Sequence, residues 1–190
     1  MAQISTNEFK AGLKVIVEGQ PYTIVLNEFV RPGKGQAFNR VKIKHVITGR
    51  VIEKNFKSGE KLDLADVEEM KLRLLYVDSE EAVFMNDATF DQHAVKLDIV
   101  GDTKKWLKEE MEYSLIFYNG NIVGVEPPTF LELKITETSA GDRGNTASGR
   151  VMKPAILETG AEIQVPIFIE QDEVIKVDTR TDEYVARASK

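Results

Sequence analysis

The chain has 190 residues, 42% of them hydrophobic and 29% charged, and a formal net charge of −6, an acidic average that argues against nucleic-acid binding because that binding runs on counterion release to Lys and Arg. It has no cysteine, which removes disulfide frameworks and thiolate chemistry, and no run approaches the ~20 apolar residues of a membrane-spanning helix. The N-terminus, Met-Ala-Gln-Ile-Ser-Thr, lacks the basic region and apolar core of a secretory leader, so a cytoplasmic protein with no membrane partner is expected.

The first informative element is residues 29–40, Phe-Val-Arg-Pro-Gly-Lys-Gly-Gln-Ala-Phe-Asn-Arg. Pro32 sets its own φ and pushes Arg31 toward an extended conformation, while Gly33 and Gly35 permit the positive φ of a tight reversal. Lys34 is thereby predicted at a loop tip on nearly bare backbone. Taken alone, a Pro-Gly-X-Gly turn reads as an ordinary hairpin connection with a solvated lysine. Its arms are Val30 and residues 36–44, with Val41 and Ile43 on one face and Arg40, Lys42 and Lys44 on the other. From Arg31 to Lys57 eight cations stand against the single anion Glu53, so this stretch carries +7 and the other 163 residues carry −13. Such a distribution suits a protein that meets a polyanion with one end. Lysines that keep an edge strand from pairing with another chain produce the same pattern, and charge alone leaves both readings open.

Beyond Ser58-Gly59-Glu60 the composition turns acidic, with Asp63, Asp66, Glu68 and Glu69. Met70, Leu72, Leu74 and Tyr76 alternate as one face of a strand, as do Leu131, Leu133 and Ile135, and then Ile163, Val165, Ile167 and Ile169. A short helix is predicted from Asp102, as N-cap, through Trp106 and Leu107 toward Met111. Asn119-Gly120, between Leu115-Ile116-Phe117 and Ile122-Val123, predicts a type I′ hairpin, which needs positive φ at both central residues. Pro127-Pro128 interrupts two strand patterns, as a joint between barrels does. Many short strands and one short helix predict an all-β chain of small β-barrels, divided at about 1–64, 65–127 and 128–190.

Enzyme readings find little support. His45 and His93 have no metal-ligand spacing around them, and Gly33-Lys34-Gly35 lacks both the preceding glycine and the following Ser or Thr of a phosphate-binding Walker loop. With 31 carboxylates some pairs will be close by chance, so no catalytic pair, metal or cofactor is expected. A second loop, residues 139–152, is rich in Gly and Ser and holds Arg143 and Arg150. That composition suits RNA contact and equally suits a surface loop.

Several longer pieces also stand out. Asn7-Glu8-Phe9-Lys10-Ala11-Gly12-Leu13 opens the chain, residues 29–38 follow, then Thr48-Gly49-Arg50 and Phe56-Lys57-Ser58-Gly59. Later come Phe84-Met85-Asn86, Trp106-Leu107, Tyr118-Asn119-Gly120, Val125-Glu126-Pro127-Pro128, Lys153-Pro154-Ala155 and the closing Val174-Ile175-Lys176-Val177-Asp178-Thr179-Arg180. In order and spacing these resemble bacterial elongation factor P from end to end, a family related to archaeal and eukaryotic initiation factor five A.

The resemblance implies an SH3-like (KOW-like) first domain and two OB-fold domains in an L shaped like tRNA. It implies a monomeric accessory factor, itself no enzyme, that enters the 70S ribosome between the P and E sites and relieves stalling at consecutive prolines. Lys34 would then reach the peptidyl transferase centre, with Arg31, Pro32, Gly33, Gly35, Gln36, Arg40, Lys42 and Lys44 against P-site tRNA and ribosomal RNA. It further implies β-lysylation of Lys34 by an enzyme resembling lysyl-tRNA synthetase. Gly144-Asn145-Thr146-Ala147, with Arg143 and Arg150, would approach the messenger codon in the E site. Asn145 stands where the family usually has Asp, which keeps size and turn preference. Asp172 stands where it usually has Gly, and Asp tolerates the positive φ expected there. Two alternatives are a paralogue of elongation factor P and an OB-fold RNA-binding protein with a non-ribosomal role, which would carry exposed aromatic stacking platforms.

Overall fold

The computed structural model describes residues 2–140 and 151–188 of a chain that is almost entirely β. The strands fall into small barrel and half-barrel sheets, and the chain clusters into two compact units. The first unit is Met1–Met70 with Ile116–Gly124 and the second is Lys71–Leu115 with Val125–Lys190.

In the first unit, β1 (Gln3–Ser5) will pair at a distance with β6 (Lys61–Asp63), and between them β2 (Lys14–Val17), β3 (Gln20–Val30), β4 (Phe38–His45) and β5 (Val51–Lys57) form an antiparallel four-stranded sheet in chain order. Period-two alternation decides which side each residue takes. Along β4, Asn39, Val41 and Ile43 are buried while Arg40, Lys42 and Lys44 are exposed. Val41 and Ile43 join Phe9, Val15, Val17, Ile24 and Phe56 in one core, where the Phe9 and Phe56 rings meet edge to face at 6.1 Å. Thr6 ties the N-terminal segment to the end of β5: its N–H donates to the Glu60 carbonyl at 2.9 Å, and its hydroxyl accepts from Gly59 N–H at 2.8 Å.

The middle of the chain is a five-stranded sheet of β7 (Val67–Val77), β8 (Glu81–Met85), β9 (Gln92–Lys96), β10 (Glu112–Tyr118) and β11 (Asn121–Glu126), ordered β11-β10-β7-β8-β9. Leu72 and Leu74 are buried as the alternation predicts, but Tyr76 is exposed. The β7–β8 register slips between Leu74 and Tyr76, and a one-residue bulge sends the following side chains to the opposite face. Asn119 and Gly120 take φ of 48° and 79°, as a type I′ hairpin requires.

The last five strands close a barrel in the order β12-β13-β14-β16-β15: β12 (Phe130–Thr138), β13 (Met152–Leu157), β14 (Glu162–Pro166), β15 (Val174–Asp178) and β16 (Glu183–Arg187). Leu131, Leu133, Ile135, Ile163 and Val165 line its interior. The predicted alternation breaks at Pro166, where β14 ends; Ile167 is only half-buried and Ile169 reaches the core from a turn. Asp172 has φ of 69°, the left-handed turn expected of it, and its carboxylate meets the Lys134 ammonium at 2.7 Å.

The predicted helix ends early. A single α-turn, α1 (Leu97–Val100), runs into a 3-10 segment, Gly101–Trp106, and at Leu107 the backbone is extended. Asp102 lies inside that segment and is no N-cap. The reason is tertiary: Trp106, 2% exposed, turns from the end of the 3-10 segment into the core of the closing barrel beside Leu131, Leu133 and Leu157. Two ion pairs bind the same parts of the second unit, Lys108 with Glu158 at 2.9 Å and Lys105 with Asp182 at 2.5 Å. Tyr113 fixes the turn behind the indole, donating from its hydroxyl to the Trp106 carbonyl at 2.6 Å and accepting from Lys108 N–H at 2.8 Å. Burial pushes its phenol up to about 12.

Candidate functional site

The strand pair β3–β4 runs from Tyr22 opposite His45 to Val30 opposite Phe38, with one register shift between Ile24 and Leu26, leaving residues 31–37 as the hairpin loop. Arg31, Pro32, Gly33, Lys34, Gly35 and Gln36 are all exposed. The two glycines differ from the sequence expectation. Gly35 has φ of 108°, a conformation that L side chains rarely adopt, whereas Gly33 lies outside the positive-φ region and a Cβ there would meet open space. Only the glycine after Lys34 is therefore required by backbone conformation. Behind the tip, the Arg31 guanidinium sits 5.8 Å from the centre of the half-exposed Phe29 ring.

Below the loop, Arg40, Lys42 and Lys44 share the outer face of β4. The sheet moderates their charge. Arg40 lies opposite Glu28 on β3 and 3.6 Å from Glu53, Lys42 lies opposite Glu53, and Lys54 turns to Glu18. Glu18 and Glu28 fall outside the segment whose charges were counted from sequence, so +7 overstates the field of this face. Among the described residues no ion pair engages Lys34, Lys42 or Lys44, and exposed pairs such as Arg40–Glu53 contribute only about 0–1 kcal/mol.

The base of the hairpin is locked by a polar pair that sequence reasoning missed. Asn39 is 2% exposed, and its amide donates to Asn27 Oδ1 at 2.9 Å; the Asn27 amide in turn donates to the carbonyls of Thr6 and Phe9 at 3.3 Å each. This joins β3, β4 and the N-terminal segment at the root of the Lys34 loop. The available signal was position, since Asn39 shares the phase of Val41 and Ile43. His45 has a structural task. Its Nδ1 accepts from Ile47 N–H at 3.1 Å and Thr48 N–H at 3.2 Å, capping the β4–β5 turn, with Tyr22 edge-on at 4.9 Å.

Arg143, Gly144, Asn145, Thr146, Ala147 and Arg150 lie outside the described residues. The strands that lead to them are β12 and β13, and beside these the Lys153 ammonium donates to the Ser139 carbonyl at 2.6 Å.

The chain matches three family models in succession: the elongation factor P KOW-like domain over residues 5–62, the elongation factor P OB domain over 67–125, and the elongation factor P C-terminal domain over 131–187. The chain belongs to the elongation factor P family. Among its relatives, "Elongation factor P 2" of Protochlamydia amoebophila is 63% identical over 189 residues, covering 100% of both chains. "Elongation factor P 2" of Chlamydia trachomatis is 57% identical over 190 residues, again covering 100% of both. A solved structure, a translation initiation factor eif-5a family protein from Naegleria fowleri, aligns with a TM-score of 0.52 at 16% identity, over 66% of this chain and 97% of that one. That likeness concerns the fold. The KOW-like and OB models fall on the four-stranded and five-stranded sheets, as an all-β elongation factor P architecture requires. Membership makes the chain a translation elongation factor.

Proposed function

We infer that this elongation factor P family member binds the ribosome between the P and E sites and speeds peptide-bond formation where consecutive prolines stall it. The observation that carries the reading is the Lys34 hairpin: an exposed lysine at the tip of a seven-residue loop, rooted in a buried Asn39–Asn27 pair and flanked by the exposed Arg40, Lys42 and Lys44. Lys34 holds the CCA end of the P-site peptidyl-tRNA, and the cations behind it meet phosphates. Proline makes a poor donor and acceptor because its ring restricts approach. Fixing the ester in attack geometry restores rate by positioning alone, on a reaction whose active site is ribosomal RNA, so the factor supplies no general base.

A lysine side chain is short for that task. β-Lysylation of Lys34 by a lysyl-tRNA-synthetase-like enzyme adds length, an amine and further donors. Residues 1–64, 65–127 and 128–190 serve as three domains, the last approaching the messenger in the E site through Arg143, Gly144–Ala147 and Arg150. The factor works in the cytoplasm as a monomer.

The test is peptide-bond formation in a reconstituted system, on a message with consecutive prolines and a control without them. This protein accelerates only the proline message, and Lys34→Ala removes on the order of tenfold or more of that gain without changing melting temperature, since the side chain is exposed. Failure of the protein carrying modified Lys34 to act on the proline message overturns the reading. The relatives bear the number 2 in their names, so a paralogue with another role then takes its place.

A further inference from the structure

The β8–β9 connection, residues 86–91 (Asn-Asp-Ala-Thr-Phe-Asp), holds the bulky Phe90 at φ of 62°, with the residue 71% exposed. In that left-handed region the Cβ of an L residue crowds its own carbonyl, so glycine or asparagine would sit there with less strain. Core burial does not compensate for an exposed ring. The conformation is nonetheless heavily constrained. Phe90 N–H donates to the Asn86 carbonyl at 2.7 Å and Asn86 N–H to the Asp91 carbonyl at 2.9 Å; Asn86 Oδ1 accepts from Ala88 N–H at 2.9 Å and Thr89 N–H at 3.3 Å. The Thr89 hydroxyl donates to Asp91 Oδ2 at 2.8 Å. From β7, Arg73 clamps the turn through Asp87 at 2.9 Å and reaches Glu110 at 2.7 Å, itself left-handed at φ of 68°. Single exposed apolar side chains are ordinary. One that is strained, pinned from several sides and displayed to solvent is not accounted for by folding.

We propose that Phe90 and its acidic hairpin form a docking knob for a basic protein surface, on the compact unit that does not carry Lys34. The surrounding charge selects the partner. Residues 86–91 hold Asp87 and Asp91 and no cation, and the neighbouring residues 107–111 add Glu109 and Glu110. The cations near them are engaged, Arg73 by Asp87 and Glu110 and Lys108 by Glu158. A phosphate backbone is repelled by such a surface. Lysines and arginines of a protein are attracted to it, and one of them can lie over the ring face. The rigid turn adds to affinity because little freedom is lost on binding. The inference rests on the ribosomal reading above, which makes the partner a basic protein of the ribosome.

The experiment is carried out on the full chain with purified 70S ribosomes. Co-sedimentation of the unaltered protein is measured first, then a photoreactive benzoylphenylalanine at position 90 is irradiated in the complex. The expected product is a cross-link to a lysine- or arginine-rich protein segment, resistant to ribonuclease and lost on protease treatment. In parallel, Phe90→Gly relaxes the backbone and keeps or raises melting temperature, yet weakens ribosome binding about tenfold, while Phe90→Tyr retains both. A cross-link to ribosomal RNA alone, no cross-link despite co-sedimentation, or a Phe90→Gly protein that melts lower and binds normally overturns the proposal. Absence of co-sedimentation by the unaltered protein overturns the ribosomal reading, and the proposal with it.

Discussion

Gly33 and Gly35 flank Lys34 with the same residue type and different backbones, and a pair of alanine substitutions separates their tasks. A Cβ on Gly33 meets open space, so Gly33→Ala is expected to leave stability within about 0.5 kcal/mol and proline-message activity intact. At Gly35, φ of 108° makes any side chain costly, on the order of 1–2 kcal/mol. Gly35→Ala therefore redirects the tip and loses the stimulation even though Lys34 is still present. Thermal melts and the reconstituted assay check both, and equal behaviour of the two variants would sink the distinction. From sequence the two glycines are indistinguishable. Backbone dihedrals depend on how the loop closes between Val30 and Phe38, which is a property of the strand register.

At the scale of the element, the turn between the 3-10 segment and β10 depends on one phenol. Tyr113 donates to the Trp106 carbonyl and accepts from Lys108 N–H, and burial raises it to about 12. An acid held above its unfolded value near 10 stabilises the fold in its neutral form. That contribution is fully present below pH about 10 and is lost as pH rises through about 12. Tyr113→Phe keeps the ring but leaves the two backbone groups unpaired, at a cost of about 1–3 kcal/mol, and removes this alkaline component. An ultraviolet titration of tyrosine ionisation, run alongside circular dichroism, checks the coincidence; ionisation of Tyr113 at an ordinary value with the fold intact would contradict it. The alternation of hydrophobic residues predicted β7, β12 and β14 well, because a sheet with one buried face imposes a period of two. It failed where a bulge shifted Tyr76 and where Pro166 ended β14, since both are departures from that period.

For the whole molecule, the decisive contact in the second unit is the burial of the chain's single tryptophan in the closing barrel. Trp106→Ala opens a cavity in that core and is expected to cost about 3–5 kcal/mol. It also detaches the 3-10 segment from the barrel, so the second unit should unfold in two steps where the parent shows one. In the parent, loss of tryptophan fluorescence and loss of strand signal in denaturant should therefore coincide. A single unchanged transition in the variant would show that the barrel closes without the indole. Sequence reasoning read Trp106 as part of a local helix, because a local pattern does not show that a side chain will be taken up by a core assembled from residues 131–177.

Sequence alone determined the all-β class, the type I′ hairpin at Asn119-Gly120, the inward and outward faces of β4, and the exposed Lys34 loop. Each is set by residues a few positions apart, through pleat geometry, turn dihedrals and side-chain polarity. The order of motifs carried the elongation factor P resemblance, which the three successive family models bear out. Tertiary structure decided the rest: the Asn39–Asn27 lock beneath the loop, the anions Glu18 and Glu28 that temper the basic face, the indole that plugs the barrel, and the strained Phe90 turn clamped at Asp87 by Arg73 from another strand. These features join residues far apart along the chain, and their partners exist only once the sheets have paired.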